Sequence, residues 1–285
     1  TPIGGSFPHI PSACHLMFSN RVLLAGNLNL ETGERPEHDY VTDCSQEGRA
    51  FLAGLDYANV LFDIPRIQGR RWRKPPQAAP TFPRRDRVGT GPFAWRRQLM
   101  LAHGDTAGDV NYLVLRDTVS GGQPTQWHFW TLSEKLGTPE QAADRKSFLA
   151  DAPDAAIAPA RELNGDRFTA VGQFDKDVEY YIASPTNTPR YTLRYGITGG
   201  AGNVRGFSEF QDLLQLQLED DGAYFVALFP RGRNVAAPRF KTLGEGRVIR
   251  IIGDFGVDYC FLSEAEAEAR ADKASFRGTA ASVRK

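Results

Sequence analysis

Two short runs, Tyr112 to Asp117 and Gln126 to Leu132, constrain the fold more than any other part of the sequence. Apolar side chains recur at every second position in both runs, which is the period of a pleated strand. Gly121-Gly122 lies between them, so the sequence predicts two paired strands of one hairpin. Because apolar residues occupy both faces of each run, we expect these strands to be covered on both sides, as in stacked sheets.

Further runs of this kind are spread along the chain and are bounded by Gly, Asn, Asp or Pro. They predict strands at 21–25, 48–53, 57–63, 93–102, 167–174, 178–183, 191–195, 213–218, 224–229, 247–252 and 259–262. Many short strands at this spacing are typical of an all-β protein. The predicted fold is a large, supersandwich-like antiparallel β-sandwich that forms one domain over residues 1–285.

Three segments depart from the strand pattern. A Pro-rich and basic stretch at about 66–92 is predicted to be a long loop, because proline suits neither a helix interior nor a central strand. An Ala-rich insert at about 136–165 predicts loop with short helical turns. Near the C-terminus, Ser263 precedes Glu264 to Ala271, which predicts a short capped surface helix.

The overall charge excludes some classes of partner. The chain has 34 basic and 34 acidic residues and no net charge, so attraction of the whole protein to nucleic acid or to a membrane surface is not indicated. No apolar run is long enough for a membrane-spanning helix. The chain begins at Thr1 without the pattern of a signal peptide, which predicts a processed chain, a fragment or an engineered chain.

Cysteine and motif patterns predict neither a metal nor a cofactor. Cys14, Cys44 and Cys260 are far apart in the sequence, so we interpret them as buried free thiols; a disulfide between Cys14 and Cys44 is the alternative in an exported protein. None of the five histidines forms a metal-binding pair in sequence. Phosphate-binding loops, nucleotide fingerprints and nucleophile elbows do not occur in the sequence.

One segment is strongly cationic. Residues 66–97 contain ten basic side chains and the single acid Asp86. Arg70, Arg71, Trp72 and Arg73 are the predicted substrate-binding residues, because guanidinium groups grip carboxylate or sulfate while an indole stacks on a sugar ring. Alternatively, these arginines pair with an acidic surface of the same protein or of a partner chain. Nucleic acid is disfavoured because the rest of the chain is balanced in charge.

All five histidines are candidates for acid–base or metal chemistry, and the positions of three of them can be interpreted from the sequence. His15 ends a Pro-rich segment just before the first predicted strand, where it could face a cleft, and it is the predicted catalytic residue. His128 lies between Trp127 and Phe129, which favours a packed and hydrogen-bonded histidine. His103 precedes Gly104-Asp105 and is predicted to lie in a turn.

Several strand motifs resemble a known family. In chain order, these motifs are Arg96-Arg-Gln-Leu-Met-Leu101, Tyr112-Leu-Val-Leu-Arg-Asp117, Gln126-Trp-His-Phe-Trp130, Tyr224-Phe-Val-Ala-Leu-Phe-Pro-Arg231, Asp258-Tyr-Cys-Phe-Leu-Ser263 and Phe276-Arg-Gly278. Together they resemble the β-sandwich portion of heparinase II/III-like proteins over roughly residues 15–285. Enzymes of that family are polysaccharide lyases in which a helical toroid and the sandwich form a cleft for uronic-acid polymers. A Tyr/His pair abstracts the proton next to the carboxylate.

The resemblance implies a secreted or periplasmic protein whose partner is an anionic polysaccharide. His15 matches the histidine that precedes an early strand in the family, whereas Ser133 stands where a histidine often ends the aromatic strand. The leading hypothesis is a sandwich that binds such a polymer or, with an upstream helical toroid or a partner chain, cleaves it by β-elimination. The alternative is a non-catalytic structural or interaction module of an extracellular assembly.

Overall fold

The computed structural model describes residues 21–24, 34–35, 43–64, 70–71, 92–106, 109–122, 125–150, 157–172, 175–198 and 208–285. These residues form the following elements, in chain order: β1 Arg21–Leu24, β2 Glu34–Arg35, β3 Asp43–Leu52, β4 Leu55–Ile64, β5 Arg70–Arg71, β6 Phe93–Ala102, β7 Tyr112–Ser120, β8 Thr125–Leu132, β9 Lys135–Gly137, α1 Pro139–Ala143, α2 Arg145–Ala150, β10 Ile157–Leu163, β11 Arg167–Val171, β12 Lys176–Ser184, β13 Arg190–Thr198, β14 Ser208–Leu218, β15 Gly222–Gly232, β16 Arg239–Leu243, β17 Val248–Gly253, β18 Gly256–Ala271 and β19 Ala274–Arg284.

The strands form three main antiparallel sheets. The outer sheet has the order β1-β8-β14-β13-β10, the central sheet β3-β4-β6-β7-β15-β12-β11-β9, and the C-terminal sheet β16-β17-β18-β19. A separate pair joins β2 to β5. The predicted all-β sandwich is confirmed, and strands are found at each predicted position.

The central sheet is covered on both faces, as alternation along β7 illustrates. Leu115 and Val119 lie in a core shared with the outer sheet. Tyr112 and Val114 point the other way, into a core shared with the C-terminal sheet. Since successive strand residues face opposite sides, each central strand needs an apolar partner layer on both sides. This arrangement explains why apolar residues occur on both faces of β7.

The hairpin predicted from β7 and β8 is wrong. β7 pairs with β6 and β15 in the central sheet, whereas β8 pairs with β1 and β14 in the outer sheet. The chain changes sheet at Gly121 and Gly122, whose φ angles of 129° and 63° favour glycine. The two strands therefore face each other across the core rather than sharing backbone hydrogen bonds. Paired and facing strands have the same alternation, so the sequence pattern could not separate them.

The surface helix predicted at 264–271 is also wrong, because these residues are the second half of β18. The sequence alternates acidic or basic residues with alanine, and Glu268 and Arg270 are exposed while Ala269 and Ala271 are buried. This is the period of a strand with one covered face. High helix propensity of Ala and Glu was outweighed by the pairing of β18 with β19.

The β18–β19 hairpin bends back over the C-terminal sheet. Its register shifts between Leu262 and Ala267, and beyond this bulge its alanines pack with Val248 and Phe261 in a third apolar cluster. At the turn, the Asp272 carboxylate accepts hydrogen bonds from Arg250 at 2.6 Å and from the Tyr259 hydroxyl at 2.9 Å. The bend and this contact cover the far face of the C-terminal sheet.

The Ala-rich insert contains the predicted helical turns and an additional strand. Helix α1 begins at a capping box in which Thr138 and Gln141 exchange side-chain and backbone hydrogen bonds. Helix α2 follows directly, and β10 then adds a strand to the edge of the outer sheet. Both helices are short, and in the described ranges no helix is long and apolar enough to cross a membrane.

Candidate functional site

The residues predicted to act on a substrate fall mostly outside the described residues. His15, Trp72 and Arg73 lie outside them. Arg70 and Arg71 form β5, and their backbones pair with those of Arg35 and Glu34. Their roles stay predictions.

Two arginines of the cationic segment have described side chains, and both pair with carboxylates of the same chain. Arg97 lies 2.7 Å from Asp117, and Arg96 pairs with Glu47 at the edge of the central sheet. For these two residues, the alternative interpretation of internal ion pairing is correct.

A different group of polar residues lies together on the outer sheet. Trp127 and Leu214 pack against the central sheet. Residues at the alternate positions therefore point away from it, and we call this side the amide face. Its described side chains are Gln126, His128, Trp130 and Leu132 of β8, Gln211, Leu213, Gln215 and Gln217 of β14, Tyr191 of β13 and Glu162 of β10.

The strand register places an imidazole, an amide and a phenol in one row across this face. His128 is paired directly with Gln215, and Gln215 is paired directly with Tyr191. Directly paired residues have Cβ atoms about 4.5–5.5 Å apart. The row continues to Glu162 of β10 at one end and to Arg21 of β1 at the other.

Three amides of this face, Gln211, Gln215 and Gln217, are buried. Gln215 is 0% exposed, and neither its Nε2 nor its Oε1 atom has a hydrogen-bond partner within the described part of the chain. Gln217 is also buried, and its Nε2 atom likewise lacks a partner there. An unsatisfied buried polar group costs about 1–3 kcal/mol. A ligand that supplied the missing donors and acceptors would recover this free energy.

His128 is buried and oriented by its own strand. It is 2% exposed, and its Nε2 atom lies 3.3 Å from Oε1 of Gln126, two residues earlier on the same face. The expectation of a buried, hydrogen-bonded histidine is confirmed. Trp130 lies on the same side of β8 as His128, opposite to Trp127 and Phe129, and therefore belongs to the amide face.

A buried carboxylate beneath the amide face ties β8 to the central sheet. Asp117 of β7 is 0% exposed and accepts four hydrogen bonds. Two come from Arg97 at 2.7 Å, and one each comes from the indole N–H groups of Trp95 and Trp127 at 2.8 Å. Because Trp127 precedes His128, this contact also fixes the strand that carries the imidazole.

A second buried carboxylate, Asp212 of β14, lies on the core side of the outer sheet. Ser133 donates to Asp212 at 2.7 Å, and Arg194 donates to both carboxylate oxygens at 3.3 Å. Burial raises the pKa of the Asp212 carboxyl, while Arg194 and Ser133 act in the opposite direction. Ser133 therefore supports this ion pair and does not lie on the amide face.

A third cluster joins the central and C-terminal sheets. Tyr112 donates to Asp258 at 2.5 Å, and Arg284 donates to both Asp258 oxygens at 2.8 Å. Burial raises the pKa of Tyr112 above its ordinary range, so the phenol stays protonated and acts as a donor rather than as a base. The adjacent Cys260 is a buried free thiol, as predicted. Burial also raises the pKa of this thiol to about 12.

The amide face combines several amides with one imidazole. Amide groups donate and accept hydrogen bonds, and an imidazole can exchange a proton near neutral pH. Among the described residues no cluster of three or more His, Cys, Asp or Glu could hold a metal ion.

Comparison with known proteins finds limited similarity to solved structures, at low sequence identity. The crystal structure of heparan sulfate lyase HepC from Pedobacter heparinus is similar over 86% of this chain and 30% of that chain, with a TM-score of 0.46 and 6% identity. A mutant of the same lyase matches over 92% of this chain and 30% of that chain, with a TM-score of 0.41 and 8% identity. The chain thus spans under a third of either lyase. No family model and no curated protein matches the sequence.

The sequence did contain a signal for the amide face. In β14 the polar residues Gln211, Gln215 and Gln217 occupy alternate positions, whereas Leu214 and Leu216 lie between them. The apolar half of this pattern predicts the strand. Glutamine recurring on one side of a strand also indicates a polar surface that a ligand could use.

Proposed function

We propose that the amide face binds an acidic polysaccharide built from uronic acids. The observation that carries this proposal is Gln215, a fully buried amide with both polar atoms unpaired in the described part of the chain, between His128 and Tyr191. A uronate offers hydroxyl groups and a carboxylate, which are the partners that such an amide needs. Since His128 and Gln215 are closed to solvent in this structure, binding also requires this face to open.

We further propose that the protein cleaves the polymer by β-elimination when an upstream helical domain or a partner chain completes the cleft. In this reaction a base removes the proton next to the uronate carboxyl group, and the bond to the leaving oxygen breaks. A carbon–carbon double bond forms in the uronate, and the leaving oxygen takes up a proton. Each step needs a group within hydrogen-bond reach of the sugar.

The row supplies one residue for each role. Gln215 donates its amide N–H to the carboxylate, His128 takes the proton, and Tyr191 returns a proton to the leaving oxygen. Two strand spacings separate His128 from Tyr191, about 10 Å between backbones, which allows a sugar ring bound above Gln215 to contact both side chains. The predicted catalytic role of His15 and the predicted roles of Arg70, Arg71, Trp72 and Arg73 in holding the polymer belong to the same proposal, as does a secreted or periplasmic location.

Gln215→Leu tests the binding site in the full chain. We expect the affinity for uronate polymers such as alginate or heparosan to fall about tenfold to a hundredfold, because a hydrogen bond to a charged group is lost. The stability should stay equal or rise, since leucine removes an unpaired buried amide. Isothermal titration calorimetry and urea unfolding measure the two quantities.

Gln98→Leu is the matched control. Gln98 is equally buried in the central sheet, but its Nε2 donates to Tyr57 and to the Thr279 carbonyl. This variant should lose stability and keep its affinity.

In the assembled protein, His128→Ala should abolish the rise in ultraviolet absorbance that the unsaturated product causes. The proposal fails if no uronate polymer binds, or if affinity is unchanged in both Gln215→Leu and His128→Ala.

A further inference from the structure

We propose that a cluster of hydrogen-bond donors on the central sheet binds a small tetrahedral oxyanion such as inorganic phosphate. The donor cluster consists of Arg96 of β6 together with Arg116 and Thr118 of β7. It lies on the face of the central sheet that turns toward the C-terminal sheet. The site is therefore separate from the amide face and does not rest on the proposed function.

The register of β6 and β7 brings these three side chains together. Arg96 is paired directly with Thr118, and Arg116 lies two residues before Thr118 on the same strand. Since alternate residues share a face, all three point to the same side as Met100 and Val114, which pack against the C-terminal sheet. Diagonal neighbours on paired strands lie about 7–8 Å apart, which two long arginine side chains can span.

Each member of the donor cluster has a buried polar atom without a hydrogen-bond partner in the described part of the chain. These atoms are Nε of Arg96, Nε of Arg116 and the hydroxyl oxygen of Thr118. Thr118 is 9% exposed, and the cluster meets solvent at its rim, where the Arg96 side chain is 19% exposed. Unpaired buried donors cost free energy, which a ligand with acceptor oxygens would recover.

Arg116 gives the cluster a positive charge that no carboxylate neutralises by direct contact. Its Nη1 donates to the Gly246 carbonyl at 3.3 Å, and its guanidinium carbon lies 5.3 Å from the centre of the Phe225 ring. Burial lowers the pKa of Arg116, and the more distant Glu264 acts in the opposite direction. A buried guanidinium without a countercharge in contact is unfavourable, so an oxyanion would stabilise it.

The chemistry of the donor cluster favours a tetrahedral oxyanion over other anions. All three unpaired groups can donate a hydrogen bond, and two of them belong to guanidinium groups, which form charge-assisted bonds to phosphate oxygens. A tetrahedral oxyanion has a separate acceptor oxygen for each of the three donors, whereas a carboxylate has only two oxygens. Because the donor atoms are closed to solvent, a free ion fits better than the same group on a larger molecule.

Isothermal titration calorimetry of the full chain with sodium phosphate, at constant ionic strength, tests this site. We expect one phosphate to bind with a dissociation constant on the order of 1 mM. Arg116→Met should weaken binding at least about tenfold, because it removes the charge and keeps an apolar stem over Phe225. Thr118→Val should weaken it about fivefold through one lost hydrogen bond. Glycerol 2-phosphate should bind at least about fivefold more weakly than phosphate.

Two further variants separate this site from general effects of charge. Glu264→Gln removes the acid that acts on Arg116 and should tighten phosphate binding about threefold. Arg233→Gln removes an exposed arginine that pairs with Asp175, and it should leave the dissociation constant unchanged. Arg116→Met should remain folded, with an equal or higher urea midpoint in the absence of phosphate, since an apolar side chain replaces an unpaired buried charge.

The outcomes decide between a specific site and non-specific attraction. A tenfold loss in Arg116→Met together with a gain in Glu264→Gln supports the site. The site is overturned if phosphate does not bind, or if neither Arg116→Met nor Thr118→Val weakens binding. Equal weakening by Arg233→Gln also overturns it, because binding would then follow overall charge. If glycerol 2-phosphate binds as tightly as phosphate, the assignment to a free ion is overturned.

Discussion

Replacing Asp117 with asparagine is expected to lower the free energy of unfolding by about 3–5 kcal/mol, because it leaves the Arg97 guanidinium without its buried countercharge. The carboxylate is fully buried and accepts two bonds from Arg97 and one from each of two indoles. The amide group of asparagine has one acceptor oxygen for these four donors, and its own N–H atoms face donors. Urea unfolding followed by tryptophan fluorescence measures the change.

Glu245→Gln is the matched control for this variant. Glu245 also pairs with an arginine, Arg247 at 3.1 Å, but its side chain is 86% exposed. We expect a change of no more than about 0.5 kcal/mol, because water already solvates both charges. Equal effects of the two variants would contradict a structural role for the buried pair.

A double variant separates the charge from the packing. Combining Asp117→Asn with Arg97→Met removes both charges, and it should recover part of the loss since no uncompensated buried cation remains. If the double variant is instead as unstable as the sum of the single variants, Arg97 and Asp117 are not coupled. The indole contacts would then account for the whole effect.

The positions of the strands could be predicted because their pattern is local. β6, β14 and β15 each alternate or run continuously apolar, and the period of two follows from backbone geometry alone. The pairing of strands could not be predicted in the same way. β7 and β8 are separated by a short turn, yet each takes its partners from distant parts of the chain.

The helix predicted at residues 264–271 was wrong for a related reason. Ser263 followed by Ala and Glu fits a capped helix, and the same residues fit a strand with one buried face. Propensity is a weak prior that tertiary packing overrides. Here the alanines of β18 are buried on the C-terminal sheet, and this burial favoured the strand.

The candidate site depended on the same long-range information. The sequence shows that His128 and Gln215 lie on strands, but their meeting requires β8 and β14 to be neighbours in register. Neither chain distance nor local pattern fixes that register. His15 and the segment Arg70 to Arg73 remain predictions from the sequence.

Alkaline pH is expected to unfold the protein steeply, because three weak acids are buried in their protonated forms. Burial raises the pKa of Cys260 to about 12 from an ordinary value of 9.0. Burial, together with nearby negative charge, also raises the pKa values of Tyr112 and Tyr180 above their ordinary 10.0. The unfolded chain releases these protons at lower pH than the folded chain.

The sign follows from proton linkage. Below pH 9 the folded and unfolded states both hold the three protons, so these groups contribute no pH dependence to the free energy of unfolding. Above the ordinary pKa of each group the folded state binds one more proton than the unfolded state, and stability falls by about 1.4 kcal/mol per pH unit for each group. By about pH 11 the loss should reach about 5 kcal/mol, and it should appear as a falling urea midpoint.

Tyr180→Phe isolates one of these protons. Its hydroxyl has no hydrogen-bond partner within the described ranges, so phenylalanine should add about 1 kcal/mol at neutral pH and flatten the alkaline slope by one proton. Tyr112→Phe should flatten the slope equally but destabilise at neutral pH, because Asp258 loses a donor. Phe129→Leu, next to Tyr180, should destabilise without changing the slope. An alkaline slope that Tyr180→Phe leaves unchanged would contradict its burial as a neutral phenol.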